Sequence, residues 1–166
     1  MLNELSEMYW DILCLSETRT PDDDIILLGG HRLLTTLMDT PYAGVGILIN
    51  KRWADSILKI GKVSGRLMYI DVRIGMQVFR FLSIYVPHAG YDWSEFETCF
   101  DSIREVLEDA RRKHIKYFIG GDFNTQINVG NRGLLSNIWW KHFRYPLPTK
   151  VMMIGTNSGL FVAAWV

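Results

Sequence analysis

The sequence predicts a mixed α/β protein, and the order of its hydrophobic patterns is the main reason. Short apolar runs of the strand type lie at 12–15, 44–50, 66–74, 78–86 and 117–120. A helical pattern comes between the last two of these runs. Strands joined first by hairpins and then through a crossover helix indicate a sheet with both antiparallel and parallel neighbours. A chain of 166 residues is long enough for one domain and too short for two ordinary ones.

The composition is that of a globular protein, with 48% hydrophobic and 22% charged residues. No apolar run approaches the roughly 20 residues that cross a bilayer, and the N-terminus does not resemble a secretion signal. We therefore expect no membrane association and an intracellular location, nuclear or cytoplasmic. The two cysteines, Cys14 and Cys99, argue against a disulfide framework, and Cys14 is expected to be a small buried thiol. A net charge of zero gives no support to binding nucleic acid by overall charge, although a local positive groove would suffice.

The N-terminal region predicts a helix, a strand and a loop. One helical face is formed by Leu2, Leu5 and Tyr9. The run at 12–15 reads as a buried strand that ends before Glu17. Pro21 and the acidic run at 22–24 predict a loop or a helix start, where acids suit the helix dipole. That interpretation is favoured over a second metal site.

The middle of the chain predicts a hairpin and then a long helix. Gly75-Met76 is a plausible tight turn between the strands at 66–74 and 78–86, and Pro87 stops the second strand. The helix at 93–114 has its apolar residues three or four apart, at Phe96, Phe100, Ile103, Leu107 and Ala110. Its basic end is explained by the helix dipole better than by contact with DNA.

Polar side chains follow three of the predicted strands. Glu17 follows the first, Tyr85 and His88 close the fourth, and Asp122 and Asn124 follow the fifth. Strand ends are where α/β sheets build ligand sites, so Glu17 and Asp122 are expected to share a cleft as ends of near-neighbour strands in one sheet. Their carboxylates are hard donors that suit Mg²⁺. Each residue also has a simpler interpretation as a helix cap, a solvated loop residue, a surface histidine or part of an Asx turn.

Taken together, the motifs are more specific than any one of them. They are DILCLSETR at 11–19, GVGILIN at 44–50, GR at 65–66, SIYVPHAG at 83–90 and GGDFNT at 120–125. In identity, order and separation they resemble the endonuclease/exonuclease/phosphatase superfamily over about residues 1–135. The resemblance implies a DNase I-like fold, a four-layer α/β/β/α sandwich of two mixed sheets with helices outside.

The resemblance also implies roles for individual residues. Glu17 would coordinate Mg²⁺, with Mn²⁺ as a possible substitute. Asp122 would orient or deprotonate the attacking water, and Asn124 would position the scissile phosphate. Tyr85 would stabilise the charge that develops on that phosphate.

Two further residues would contact the substrate. Arg66 would support the phosphate side. His88 stands where many relatives carry Asn; an imidazole can still donate a hydrogen bond to phosphate, but its charge then depends on pH.

The nearest resemblance is to the apurinic-like endonuclease domain of LINE-type retrotransposons and their domesticated relatives. The run at 43–53 and the NRG segment at 131–133 favour that branch. It implies a Mg²⁺-dependent endonuclease that nicks DNA, with no obligate protein partner evident. Two alternatives stay open: a phosphatase acting on lipid or nucleotide phosphates, and a catalytically dead binding module or pseudogene product.

Two parts of the family pattern are not found in the sequence. The family has a strand with a catalytic Asn upstream of the first helix and a Ser-Asp-His segment near its end. Residues 136–166 form a tail without clear resemblance, with a possible helix at 132–142 and a possible apolar strand within 151–166. The domain is therefore expected to be truncated at both ends and impaired in activity.

Overall fold

The structure of the protein, a computed structural model, describes residues 10–20, 23–27, 29–36, 44–88, 90–124 and 160–163. The first half of the described chain comprises β1 (Ile12–Ser16), β2 (Asp23–Ile26), β3 (Arg32–Thr35), β4 (Val45–Ile49) and the short α1 (Lys51–Ala54). The second half comprises β5 (Ile57–Ser64), β6 (Leu67–Ile74), β7 (Gln77–Tyr85), α2 (Trp93–Arg112), β8 (Lys116–Asp122) and β9 (Leu160–Ala163).

The strands form two sheets. The first has the order β2-β3-β4-β1-β9 and is antiparallel throughout its described strands. The second has the order β5-β6-β7-β8, with an antiparallel meander followed by a parallel β7–β8 pair. That parallel pair requires a crossover, and α2 supplies it. The hairpin between β6 and β7 turns at Gly75, whose φ of 61° suits glycine, as the sequence predicts.

The two sheets pack face to face, and the main core lies between them. Alternate residues of the central strands point inward, as the pleat of a strand dictates. The buried interior contains Ile12, Leu34, Val45, Ile47, Ile49, Met68, Ile70, Val72, Phe79, Phe81 and Tyr85. A DNase I-like α/β sandwich, as expected from the sequence, is therefore the fold.

Hydrogen bonds join the middle of β1 to β7 across this interface. Ser83 Oγ donates to the Leu15 carbonyl at 3.0 Å, and Cys14 Sγ donates to the Leu82 carbonyl at 3.4 Å. Gly120 lies directly beside Cys14, since a Cβ there would come within 2.9 Å of Sγ. Burial raises the pKa of the Cys14 thiol to about 12, so it is the inert buried thiol that the sequence predicts. These contacts fix β1 against β7 and β8.

Helix α2 covers the outer face of the second sheet. Its buried residues are Cys99, Phe100, Ile103, Val106, Leu107 and Ala110. They pack on Leu67, Tyr69, Leu82, Ile84 and Ile119. The predicted helix and its apolar face are confirmed, with an end at Arg112 in place of 114. The outer face of the first sheet carries a separate buried cluster around Trp10, Leu13, Leu15 and Leu48.

The loop or helix start predicted at the acidic run is wrong for Asp23 and Asp24, while Asp22 lies outside the described residues. Asp23–Ile26 is the edge strand β2, which pairs with β3. Asp24 accepts a hydrogen bond from Arg32 Nε at 2.6 Å, and this contact lowers the pKa of the carboxyl. The acid is thus matched by a cation eight residues further along, on the neighbouring strand. The hydrophobic pattern also did not predict β2, β3 or β5.

The predicted tail contains a strand. The apolar strand expected within residues 151–166 is present as β9, which pairs antiparallel with β1. The helices expected at residues 2–9 and 132–142 lie outside the described residues, and so does the NRG segment. The domain boundary expected at residue 135 stays a prediction.

Candidate active site

Three of the predicted site residues lie at one end of the sandwich. Glu17 follows β1, Tyr85 is the last residue of β7, and Asp122 is the last residue of β8. Glu17 therefore comes from the first sheet, and Asp122 comes from the second. The expectation that these carboxylates end near-neighbour strands of one sheet is wrong. The reason is that β1 pairs with β4 and β9, both distant in sequence, and approaches β7 and β8 only through face-to-face packing.

Tyr85 connects the two sheets at this end. Its hydroxyl donates a hydrogen bond to Glu17 Oε1 at 3.0 Å. In the parallel ladder its register partner is Asp122, so the two side chains leave the sheet on the same face. The structure thus brings an acid, a phenol and a second acid to one edge of the inner interface.

The environment of Tyr85 keeps its hydroxyl protonated. Burial raises the pKa of the phenol above its ordinary value of 10, and the hydrogen bond to Glu17 raises it further. The Asn124 amide and the Arg66 charge act in the opposite direction but do not reverse the shift. At neutral pH the hydroxyl is therefore a hydrogen-bond donor.

Asn124 is held in place by a turn. Its backbone N–H donates to Asp122 Oδ1 at 2.8 Å, which is the Asx turn that the sequence left open as the simpler interpretation. Its side-chain Nδ2 donates to the Val86 carbonyl at 2.7 Å. The same amide interacts with the Tyr85 hydroxyl. The Asx turn is therefore compatible with a functional role of Asn124, because it presents the Asn124 amide to Tyr85.

The backbone around the acids is unusual. Glu17 and Asn124 have φ values of 52° and 46°, and Arg19 has 49°. Such left-handed conformations are uncommon in residues other than glycine, and they cluster at functional sites. Among the described residues only His114, at the end of α2, shares this feature. Arg19 Nη2 also forms an ion pair with Glu17 Oε2 at 3.2 Å.

Arg66 lies on the other side of Tyr85. Its guanidinium is 5.1 Å from the centre of the Tyr85 ring and 4.7 Å from that of Tyr91. The side chain is only 11% exposed, and Glu95 Oε2 lies 3.9 Å from its Nη2. Arg66 thus contacts the tyrosine of the site, as a residue on the phosphate side should, and its role toward substrate stays a prediction.

His88 contacts Tyr91, the same ring that Arg66 contacts. Its exposed ring meets the Tyr91 ring edge-on, with 4.5 Å between centres. Nδ1 accepts a hydrogen bond from the Gly90 backbone N–H at 3.0 Å, so Nε2 carries the proton of the neutral ring. This geometry serves the predicted phosphate contact and the alternative of a surface histidine equally well.

Three neighbours of the site were not predicted from the sequence. Arg19 lies within the first motif, but nothing there marked it as the partner of Glu17. Tyr91 and Glu95 were also missed. Tyr91 follows a motif without being part of it, and Glu95 looks like an ordinary acid in the first turn of a helix. Only the fold brings them to Arg66.

The donor set fits a magnesium ion. Among the residues that the structure describes, no three His, Cys, Asp or Glu side chains cluster in a way that could hold a metal. Mg²⁺ does not require such a cage, because it retains several waters and takes one or two carboxylates together with substrate phosphate. Glu17 and Asp122, with the amide of Asn124 beside them, match that requirement. Mn²⁺, also suited to carboxylate and water, fits the same donors.

The comparisons with known proteins agree with this geometry. In the described part of the chain, no helix has the length and hydrophobicity to span a membrane. No curated protein matches the sequence. The profile of the Endonuclease/Exonuclease/phosphatase family matches residues 1–151. Members of that family are typically hydrolases of phosphodiester or phosphate bonds that depend on a divalent metal, often Mg²⁺. The chain therefore belongs to the endonuclease/exonuclease/phosphatase family.

Proposed function

We propose that this protein is a Mg²⁺-dependent DNA endonuclease that nicks phosphodiester bonds, of the kind carried by LINE-type retrotransposons. The observation that carries the proposal is the hydrogen bond from the Tyr85 hydroxyl to Glu17, formed across two sheets with Asp122 and Asn124 at the same edge. Two carboxylates can hold the metal for phosphodiester hydrolysis, and a phenol and an amide can donate hydrogen bonds to the phosphate oxygens.

Glu17 and Asp122 would hold the metal. When bound, the ion supplies positive charge to the phosphate and lowers the pKa of a coordinated water. Asp122 Oδ1 accepts the Asn124 backbone N–H at 2.8 Å, which fixes the direction of the carboxylate. Its Oδ2 can then accept a proton from the attacking water. The turn holds the Asp122 carboxylate in one orientation, so this base is positioned before substrate binds.

Tyr85 and Asn124 would bind the phosphate. The Tyr85 hydroxyl remains protonated at neutral pH because burial and Glu17 raise its pKa. Its single proton can turn from Glu17 to the oxygen on which negative charge accumulates. The Asn124 amide has two N–H groups, and one of them is engaged with the Val86 carbonyl. The second can donate to a phosphate oxygen.

A DNA substrate is supported by the motifs of the retrotransposon branch and by cations beside the site. Arg19 and Arg66 lie next to Glu17 and Tyr85 respectively. Because the net charge of the chain is zero, these local groups must provide most of the attraction to the phosphate backbone. Affinity for DNA is therefore expected to be modest and its salt dependence shallow.

The test is nicking of supercoiled plasmid in Mg²⁺. Glu17→Gln should reduce the rate by about 10²–10³-fold, the usual loss when one electrostatic element of a site is removed. Glu105→Gln is the matched control, because Glu105 is an exposed acid on α2, and its rate should equal that of the wild type. Equal nicking by Glu17→Gln and wild type would contradict the proposal.

Two parallel measurements separate the alternatives. Faster release of phosphate from a phosphoinositide or a nucleotide than nicking of plasmid would assign the phosphatase function instead. Saturable Mg²⁺ binding that Glu17→Gln abolishes, with no turnover of any of these substrates, would assign a binding module.

A further inference from the structure

Both carboxylate oxygens of Glu17 accept a hydrogen bond from another side chain. Oε1 accepts the Tyr85 hydroxyl at 3.0 Å, and Oε2 accepts Nη2 of Arg19 at 3.2 Å. The two donors differ in charge, because the phenol is neutral at neutral pH and the guanidinium is always positive. The acid that would bind a metal therefore already has a side-chain cation on one of its oxygens.

The backbone holds Arg19 beside Glu17. Both residues have left-handed conformations, with φ values of 49° and 52°, so the strand geometry of β1 does not continue through them. Between them, the Thr18 backbone N–H donates to the Gly44 carbonyl at 3.1 Å. Strained backbone of this kind persists where the surrounding structure over-determines it. The Glu17–Arg19 contact is therefore set by the attachment of this segment to the start of β4, and not by two flexible side chains alone.

The Glu17–Arg19 pair has little value for folding. Arg19 is 58% exposed and Glu17 is 43% exposed, and ion pairs in such positions contribute little because water screens them. The segment also carries a cost, since the hydroxyls of Thr18 and Thr20 are buried without a hydrogen-bond partner among the described residues. The consequence of the pair is therefore to be sought at Glu17 itself.

Arg19 and a metal ion would compete for the same oxygen. A carboxylate oxygen has two lone pairs, so a hydrogen bond by itself does not prevent coordination. A positive charge does, because two cations on one oxygen lie only a few ångströms apart and repel each other, the more strongly when one is divalent. Tyr85, which is neutral, causes no such repulsion. Of the two groups that contact Glu17, Arg19 is thus the one that opposes metal binding.

Arg19 also orients the Glu17 carboxylate, and this effect has the opposite sign. A ligand that is already oriented binds more tightly than one that must be ordered. Tyr85 reaches Oε1 from the facing sheet, however, and keeps the carboxylate in place without Arg19. The loss of orientation on removing Arg19 is therefore expected to be smaller than the gain from removing its charge.

We infer that Arg19 is a positioning residue that holds Glu17 as a substitute cation in the metal-free protein and, because it must be displaced when a metal binds, sets the metal affinity. The exposed Arg19 side chain has water to move into. The inference rests on the proposed function in one respect, the role of Glu17 as the metal ligand. It does not depend on DNA as the substrate.

The experiment measures metal binding in the absence of substrate. Mn²⁺ is titrated into the full chain, and the unbound ion is quantified by its electron paramagnetic resonance signal. Arg19→Gln should bind Mn²⁺ about fivefold more tightly than wild type, because an exposed ion pair no longer has to be broken. Arg19→Lys keeps the positive charge and should bind with nearly the wild-type affinity. Displacement of Mn²⁺ by Mg²⁺ should give the same order of affinities.

Arg104→Gln is the matched control. Arg104 forms an ion pair of similar exposure with Asp101, at 2.8 Å on α2, and its loss changes the net charge equally. Its Mn²⁺ affinity should equal that of wild type. Glu17→Gln should remove the site, and adding Arg19→Gln to that variant should cause no further change, because the two residues act on one oxygen.

The outcomes separate the inference from the proposed function. Unchanged or weaker binding by Arg19→Gln overturns the inference, and so does equal tightening by Arg104→Gln. If Arg19→Gln does not fold, Arg19→Asn decides in its place, because asparagine suits left-handed backbone and also removes the charge.

Nicking of plasmid by wild type, without a gain in metal affinity from Arg19→Gln, would leave the function and remove the inference. The gain in affinity without nicking would do the reverse. Absence of saturable binding in wild type and in both neutral variants would overturn the inference and the metal site together.

Discussion

Two arginines lie under helix α2, and their surroundings are opposite. Arg80, from the middle of β7, is completely buried. Its Nε and Nη2 donate to both oxygens of Asp71 at 2.7 and 2.8 Å. Its Nη1 donates to the Val106 carbonyl at 2.9 Å and to Asp109 at 3.0 Å. Tyr69 covers the guanidinium at 4.2 Å.

Arg66 is almost as buried but has none of these partners at its Nη atoms. It contacts two tyrosine rings and an acid at 3.9 Å, and it faces a cleft. The difference shows that burial of an arginine does not reveal its purpose. Saturated donors, as in Arg80, tie an element to its sheet, whereas open donors beside a cleft are available to a ligand.

The largest effect is expected from Arg80→Met. It leaves the buried Asp71 carboxylate without its partner, and breaking such a pair costs about 3–5 kcal/mol of unfolding free energy. Urea denaturation measures it. Arg104→Met is the control, because Arg104 pairs with Asp101 on the exposed surface of the same helix. Its change should stay below about 1 kcal/mol. Similar losses in the two variants would mean that the Arg80 network is not structural.

Next is Tyr85→Phe, on the Arg66 side of the molecule. Loss of the hydroxyl that bonds Glu17 should lower kcat about 10²-fold in the nicking assay. Stability should fall by only about 1 kcal/mol, the net value of one hydrogen bond. Tyr117→Phe, at the opposite end of the second sheet, should leave kcat unchanged. A stability loss as large as that of Arg80→Met would make Tyr85 a structural residue.

A smaller effect concerns acid stability near Arg80. Hydrogen bonds from Lys113 and then Arg80 lower the pKa of Asp109 from 3.8 to about 2. Because the folded-state value is depressed, the stabilisation is present above about pH 4 and is lost as the pH falls toward 2. Urea midpoints between pH 5 and 2 should therefore converge for wild type and Asp109→Asn. Asp101→Asn is the control, and a constant gap between wild type and Asp109→Asn would contradict the prediction.

The smallest effect is expected from Arg66→Gln on stability. The substitution breaks no hydrogen bond at the Nη atoms and removes a buried charge that lacks a full partner. The unfolding free energy should change by less than about 1 kcal/mol in either direction. Urea denaturation beside Arg80→Gln gives the direct contrast. Equal, large losses would show that Arg66 is as structural as Arg80.

The sequence by itself determined the local structure around most of the site. Short apolar runs marked the strands that became β1, β4, β7 and β8, alternation marked β6, and the 3.6-residue spacing marked α2. A periodic pattern is readable where an element buries one face, because burial imposes that period on the chain. β4 is buried along its whole length and is readable as a continuous apolar run. The same reading selected Glu17, Tyr85, Asp122 and Asn124 as the polar groups at strand ends, and the structure places all four at one edge of the sandwich.

Only the tertiary structure decided which groups meet. Tyr85 and Glu17 are 68 residues apart and come from facing sheets, whereas the sequence suggested a single sheet. Asp24 lies in a strand and pairs with Arg32 of the neighbouring strand. Arg66 and Arg80, similar in the sequence, have opposite surroundings. Periodicity reports that a side chain is buried or exposed, but not which distant strand or helix covers it. Partners, open donors and clefts follow from that long-range packing.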